Sequence, residues 1–163
     1  MKRTLSVTAF CIITLVYNTG LIHAQDYEKG RQAFLNEDYP SALKELRPLA
    51  EQGDDDSRYY LGLMHLRGLG VIQDYKEAAR LFANSAEQGH TAAQGLLGRM
   101  YSEGLGVNKN PIYAHMWWNI AGANGYGIGR TFRDSEAKRM SSSQVEEAQR
   151  LARECIIKMY KEC

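Results

Sequence analysis

Proline is scarce. The 163 residues hold 3, at positions 40, 48 and 111, so most of the chain is free of the residue that removes an amide donor and jams the preceding helical turn. Of the 3 cysteines, Cys11 lies in an apolar N-terminal run, which leaves Cys155 and Cys163 with no Cys-x-x-Cys pair. That excludes a cysteine-ligated zinc module and a dense disulfide scaffold. No apolar run reaches the roughly twenty residues that span a bilayer; "LSVTAFCIITLV", from Leu5 to Val16, stops far short. An excess of either charge is missing too. Lys and Arg number 20 against 19 Asp and Glu, and setting aside Lys2 and Arg3 leaves 18 against 19. Such a balance gives no electrostatic footprint for nucleic acid or for an anionic membrane surface.

Motifs of catalysis and ligation are missing as well. There is no Gly-x-Ser-x-Gly elbow and no His-Glu-x-x-His, and "GDDDS" at 53–57 lacks the spaced oxygens and closing Glu of a calcium loop. His65, His90 and His115 stand on different segments, so a metal would need ligands from unrelated turns. No catalytic residue, metal site or cofactor is expected.

What is present begins with a leader. Lys2 and Arg3, the apolar run and a small residue at Ala24 make a secretory signal peptide over residues 1–24. The mature chain, 25–163, is expected to be exported to the periplasm or beyond, without membrane insertion after cleavage. It is rich in Ala, Leu, Glu, Gln, Lys and Arg, a composition that favours an all-α protein.

Internal self-similarity fixes the architecture. "AEQG" ends at Gly53 and again at Gly89, and "AGANG" ends at Gly125, both intervals being 36 residues. "HLRGLGV" at 65–71 returns as "YSEGLGV" at 101–107 in the same register, and so do Asp38, Asp74 and Asn110. Each period reads as two helices. Asp74 and Asn110 are N-caps, Pro111 sits in a first turn, and Gly89 is a left-handed C-terminal residue. Gly68, Gly70, Gly104 and Gly106 follow helices rather than strands, with no Lys-Ser or Lys-Thr to complete a phosphate loop. They are structural turns.

On these residues the chain resembles the Sel-1-like repeat family, relatives of the tetratricopeptide repeat. The matching positions in the second full copy include Ala93, Leu97, Gly98, Tyr101, Gly104, Gly106, Val107, Asn110, Ala114, Trp118, Ala121 and Gly125. The copy before it departs at Ser57, His65 and Ser85. The resemblance implies an αα-hairpin solenoid of about four helix pairs in a right-handed superhelix. Residues 54–89 and 90–125 would be the full repeats. Residues 25–53, where Gly30 to Ala42 is 12 residues against 16 from Gly62 to Ala78, form a shorter tetratricopeptide-like hairpin packed through Phe34, Tyr39, Ala42 and Leu46. Residues 126–163 form a capping helix pair. Ser141 and Gln144 make a capping box, and Leu151, Cys155 and Met159 share a face of the helix it opens.

Within one continuous helix, Cys155 and Cys163 would lie about 12 Å apart along the axis, too far for a disulfide. Either the last turn unwinds and the two bridge, or Cys163 pairs with another chain.

The family resemblance implies a protein or peptide partner held on the concave face, which the first helix of each pair lines. Arg58, Gln94 and Arg130 share a phase there, and with Tyr59 and Arg99 they are the expected contact residues. Trp118 has the core phase of Phe82, while Trp117 is expected to pack against the final helix. Relatives include envelope-assembly factors, host-interaction proteins and periplasmic immunity proteins that neutralise toxins. A rival expectation comes from cysteine-rich relatives linked to β-lactam hydrolysis or binding. Those carry a cysteine pair across each repeat, and this chain does not.

Overall fold

A computed structural model describes residues 24–163; the signal-peptide reading, which falls on 1–24, lies almost wholly outside them. Every regular element among the described residues is an α-helix. In order they are α1 (24–35), α2 (Tyr39–Glu51), α3 (Asp55–Arg67), α4 (Tyr75–Ala86), α5 (Thr91–Glu103), α6 (Pro111–Ala123), α7 (Gly127–Ala137) and α8 (Ser142–Ile157). None is long and apolar enough to cross a membrane.

Short polar side chains start the helices. Asp54 accepts from the Ser57 amide at 2.7 Å, Asp74 from the amides of Lys76 and Glu77, and Asn110 from those of Ile112 and Tyr113. Ser141 and Gln144 close the capping box that opens α8. Each contact supplies an acceptor to an amide that has none within its own helix. Left-handed glycines end them: φ is 70° at Gly68 and 75° at Gly104, followed by 67° at Gly70 and 69° at Gly106.

Helices pack α3 on α4 and α5 on α6 within pairs, and α2 on α3, α4 on α5 and α6 on α7 between them. A glycine on the first helix of a pair admits a large side chain from the second. Gly62 faces Phe82, and a Cβ placed on Gly98 would lie 2.7 Å from the Trp118 ring. Phe82, Ala78, Met100 and Ile120 are fully or nearly fully buried.

The C-terminal helix leaves this pattern. Its main neighbour is α6, and it buries Ala148, Ala152 and Cys155, with Leu151 half-buried. Met159, expected on the same face, is 77% exposed because the helix has already ended. Met159, Tyr160 and Glu162 take φ of 51°, 65° and 53°, and this reversal brings the α-carbons of Cys155 and Cys163 to 5.3 Å with their sulfurs bonded. Trp117 is 3% exposed and shares an apolar cluster with Ala152 and Cys155.

Candidate partner-binding groove

A groove of about 590 Å³ opens between α5 and α7, the first helices of successive pairs. Its floor is aromatic: Trp118 from α6 lies under Phe132 from α7, ring centroids 5.3 Å apart. The Trp118 indole N–H donates to the Gly95 carbonyl at 3.0 Å, which fixes the ring. Phe132 is left 41% exposed. The rim is charged. Arg99 and Glu103 pair at 2.7 Å one turn apart on α5, and exposed Lys109 makes no ion pair among the described residues. Across the groove Glu136 is 4% exposed, where an unpaired carboxylate would be costly to bury. Its carboxylate accepts from the Ser102 hydroxyl at 3.1 Å and from the Arg139 guanidinium, joining α5 to the end of α7.

Of the five expected contact residues, only Arg99 stands at this groove. Arg58, Gln94 and Arg130 repeat a different task. Each donates to the carbonyl eight residues back: Arg58 Nε to Ala50 at 3.0 Å, Gln94 Nε2 to Ala86 at 3.2 Å, Arg130 Nε to Gly122 at 3.3 Å. Those carbonyls end the preceding helix, where the amide four residues on turns instead to the carbonyl before, so a long side chain with an N–H adds a donor. Gln94 has no surface to offer a partner, being 0% exposed. Tyr59 lies half-buried against His90, rings stacked at 4.5 Å, and burial pushes its phenol up. His90 itself caps α5, accepting at Nδ1 from the Ala93 amide while Nε2 faces Asp56 at 3.1 Å.

Sequence reasoning missed Phe132, Lys109, Ser102, Glu136 and Arg139. Phe132 was within reach, because it shares the 36-residue phase of Leu96 and Tyr60 on the first helices. The Ser102–Glu136 contact spans 34 residues and has no sequence signature.

Beneath α7 lies His115, 2% exposed, with Nδ1 lacking a hydrogen-bond partner. Burial, then the Arg133 charge, holds its pKa below the usual histidine value, against weaker opposing effects of Asp134 and Glu136. The folded state therefore keeps it neutral, while the unfolded chain takes up a proton nearer pH 6.5. Stability from this group is complete above that pH and falls as the pH drops below it. His115→Gln should therefore lose less stability between pH 7.5 and 5 than the parent protein, measured as urea midpoints at both pH values.

Among the described residues no three His, Cys, Asp or Glu side chains gather to hold a metal ion. The single disulfide closes a C-terminal turn and bridges no helix pair.

Comparison with known proteins bears on this geometry. The Sel1 repeat pattern matches residues 55–90 and 91–136. The crystal structure of a protective antigen present in uropathogenic Escherichia coli strains, described as displaying an SLR fold, superposes with a TM-score of 0.80 at 30% identity over 86% of this chain. A Sel1 repeat protein from Oxalobacter formigenes superposes with a TM-score of 0.63 at 25% identity over 66% of it. The chain spans 31% and 44% of those two proteins. No curated protein matches it by sequence. Sel1 repeat proteins generally act as protein–protein interaction scaffolds, typically without catalysis. With half its length in two matched repeats and the same helical architecture, this chain belongs to the Sel1 repeat family.

Proposed function

We propose that this protein is an exported, non-catalytic adaptor that holds a protein or peptide partner in the groove between α5 and α7. The observation that carries the reading is the pairing of a partly open aromatic floor, Trp118 and Phe132, with a rim of Arg99, Lys109 and Arg139. Aromatic and arginine side chains in a pocket are the residue types that dominate interface energetics. Export is supported by the basic and apolar leader and by a disulfide, which persists in an oxidising compartment. Service as an immunity protein against a secreted toxin is one form of this reading, the partner then being the toxin.

The test is capture of a partner from periplasmic extract on immobilised protein. Phe132→Ala with Lys109→Glu should lower recovery at least tenfold, about 1.4 kcal/mol, with helicity by circular dichroism retained. Arg99→Glu alone should weaken it less, because Glu103 shares that charge. Equal recovery by the folded double variant would assign the partner to another surface.

A further inference from the structure

A second trench, of about 370 Å³, lies between α2, α3 and α4, away from the α5–α7 groove. Its floor is Ala50, Leu61 and Leu81, and the 36-residue repeat predicts a copy of it between α4, α5 and α6 with Ala86, Leu97 and Trp117 in those places. That copy is filled by the chain's own α8. Ala86, Leu97 and Trp117 belong to one apolar cluster with Ala152 and Cys155 of α8. The turn closed by the disulfide seals one end. Tyr160 stands 3.5 Å from where a Gly89 Cβ would be, and its hydroxyl bonds Asn124, which in turn donates to Gln94.

Exposure separates the walls of the two copies and not their floors, since Ala50, Leu61 and Leu81 are themselves buried. Met116 and Ile120 are 1% and 0% exposed under α8, whereas Arg80, in the phase of Met116, has a side chain 60% exposed. Wall residues differ in kind as well: Ala83, Met116 and Ile120 in the filled trench are Arg47, Arg80 and Asn84 in the open one. Arg80 is paired with Glu77, while Arg47 and Arg58 have no carboxylate partner among the described residues. The acids in the lining are Glu77, which Arg80 holds, and Glu51, which has no ion-pair partner among the described residues.

We propose that the open trench docks a helix of a partner protein, seated as α8 is in the neighbouring copy, with a stripe of small apolar residues on the Leu61–Leu81 floor and carboxylates on its flanks. This surface is independent of the α5–α7 groove, and either can fail alone. The chemistry follows from the lining: the floor accepts a narrow apolar stripe, the Arg47 guanidinium can receive a bidentate carboxylate, and Arg58, its Nε held by the Ala50 carbonyl, can offer its Nη groups.

The probe is an acetylated, amidated peptide of residues 142–157 with Gln149→Glu, Ile156→Glu and Cys155→Ala. At about 100° per residue, these changes place acids on one flank of the Ala148–Leu151–Ala152 stripe, opposite Glu147 and Glu154. Titrated into the full-length mature protein and followed by amide chemical shifts, it should saturate with changes centred on α2, α3 and α4. Arg47→Glu with Arg80→Glu should weaken binding at least tenfold, Arg99→Glu should leave it unchanged, and a peptide with lysine at all four flanking positions should bind at least tenfold more weakly. Absence of saturation, equal binding of the lysine peptide, or shifts confined to α5–α7 or to the α8 trench would overturn the proposal. So would a dimer in sedimentation that Arg80→Glu dissociates, since the trench would then belong to a second copy.

Discussion

Gly106→Val is expected to lower stability by about 4 kcal/mol or more, from three additive causes. A β-branched residue at φ 69° costs roughly 1–2 kcal/mol in left-handed strain. A Cβ there would sit 2.0 Å from the Tyr75 carbonyl oxygen and 2.6 Å from the Lys76 amide nitrogen, closer than any real contact. Those are backbone atoms of the first turn of α4, so relief requires moving the helix start and loosening the Asp74 cap, itself worth about 1 kcal/mol. A melting temperature lower by on the order of 10 °C is the readout. Gly70→Val should cost less, because its Cβ would meet the Tyr39 Cβ at 2.5 Å with the nearest backbone atom 3.5 Å away, against backbone at 2.0 Å for Gly106. Gly104→Asn is the control: φ is 75°, but the nearest atom is the Lys109 Cβ at 3.3 Å, and Asn tolerates this conformation. Unchanged melting in Gly106→Val would show that the turn does not carry the packing of successive repeats.

These glycines were legible from the sequence because a 36-residue period exposes what each copy must repeat: a cap, a turn, and a small residue under a large one. The shared phase of Arg58, Gln94 and Arg130 carries a structural task that the period alone did not disclose. Variation between Arg and Gln at one phase resembles a specificity position, yet both side chains donate N–H to a helix-ending carbonyl, so the phase varies while its task does not. A sequence period also cannot reveal which copy of a surface is covered. That α8 lies against α6 was legible only through the out-of-phase Trp117, which packs with Ala152 and Cys155, while the left-handed turn at Met159, Tyr160 and Glu162 that closes the C-terminus has no propensity signal. The disulfide was undecidable for the same reason. Along a continuous helix its cysteines are out of reach, and only the unwound turn joins them. Half of the α5–α7 groove escaped notice because its residues come from one full repeat and from a terminal segment whose copy is degenerate. Ser102 and Glu136 meet only once the helices are packed.

Trp117→Ala is expected to remove about 3–5 kcal/mol, the range for deleting a fully buried aromatic ring. The ring is 3% exposed and lies among Ile120, Ala152 and Cys155, so truncation leaves a void between α6 and α8. The loss should be uneven. α8 has α6 as its main neighbour, and its own buried side chains are small: Ala148, Ala152 and Cys155. The large apolar side chains of that cluster come from outside α8, and this indole is one of them. Amide hydrogen exchange in α8 should accelerate by a larger factor than in α3 and α4, which pack against each other without its help. Trp117→Leu copies Leu81 of the open trench and should fall between the two, retaining the floor but not the height that reaches α8. Equal acceleration in every helix would mean that α8 is an inseparable part of the array. Selective acceleration would mean that the α4–α5–α6 trench holds α8 largely through one large floor residue, where the open copy has the smaller Leu81.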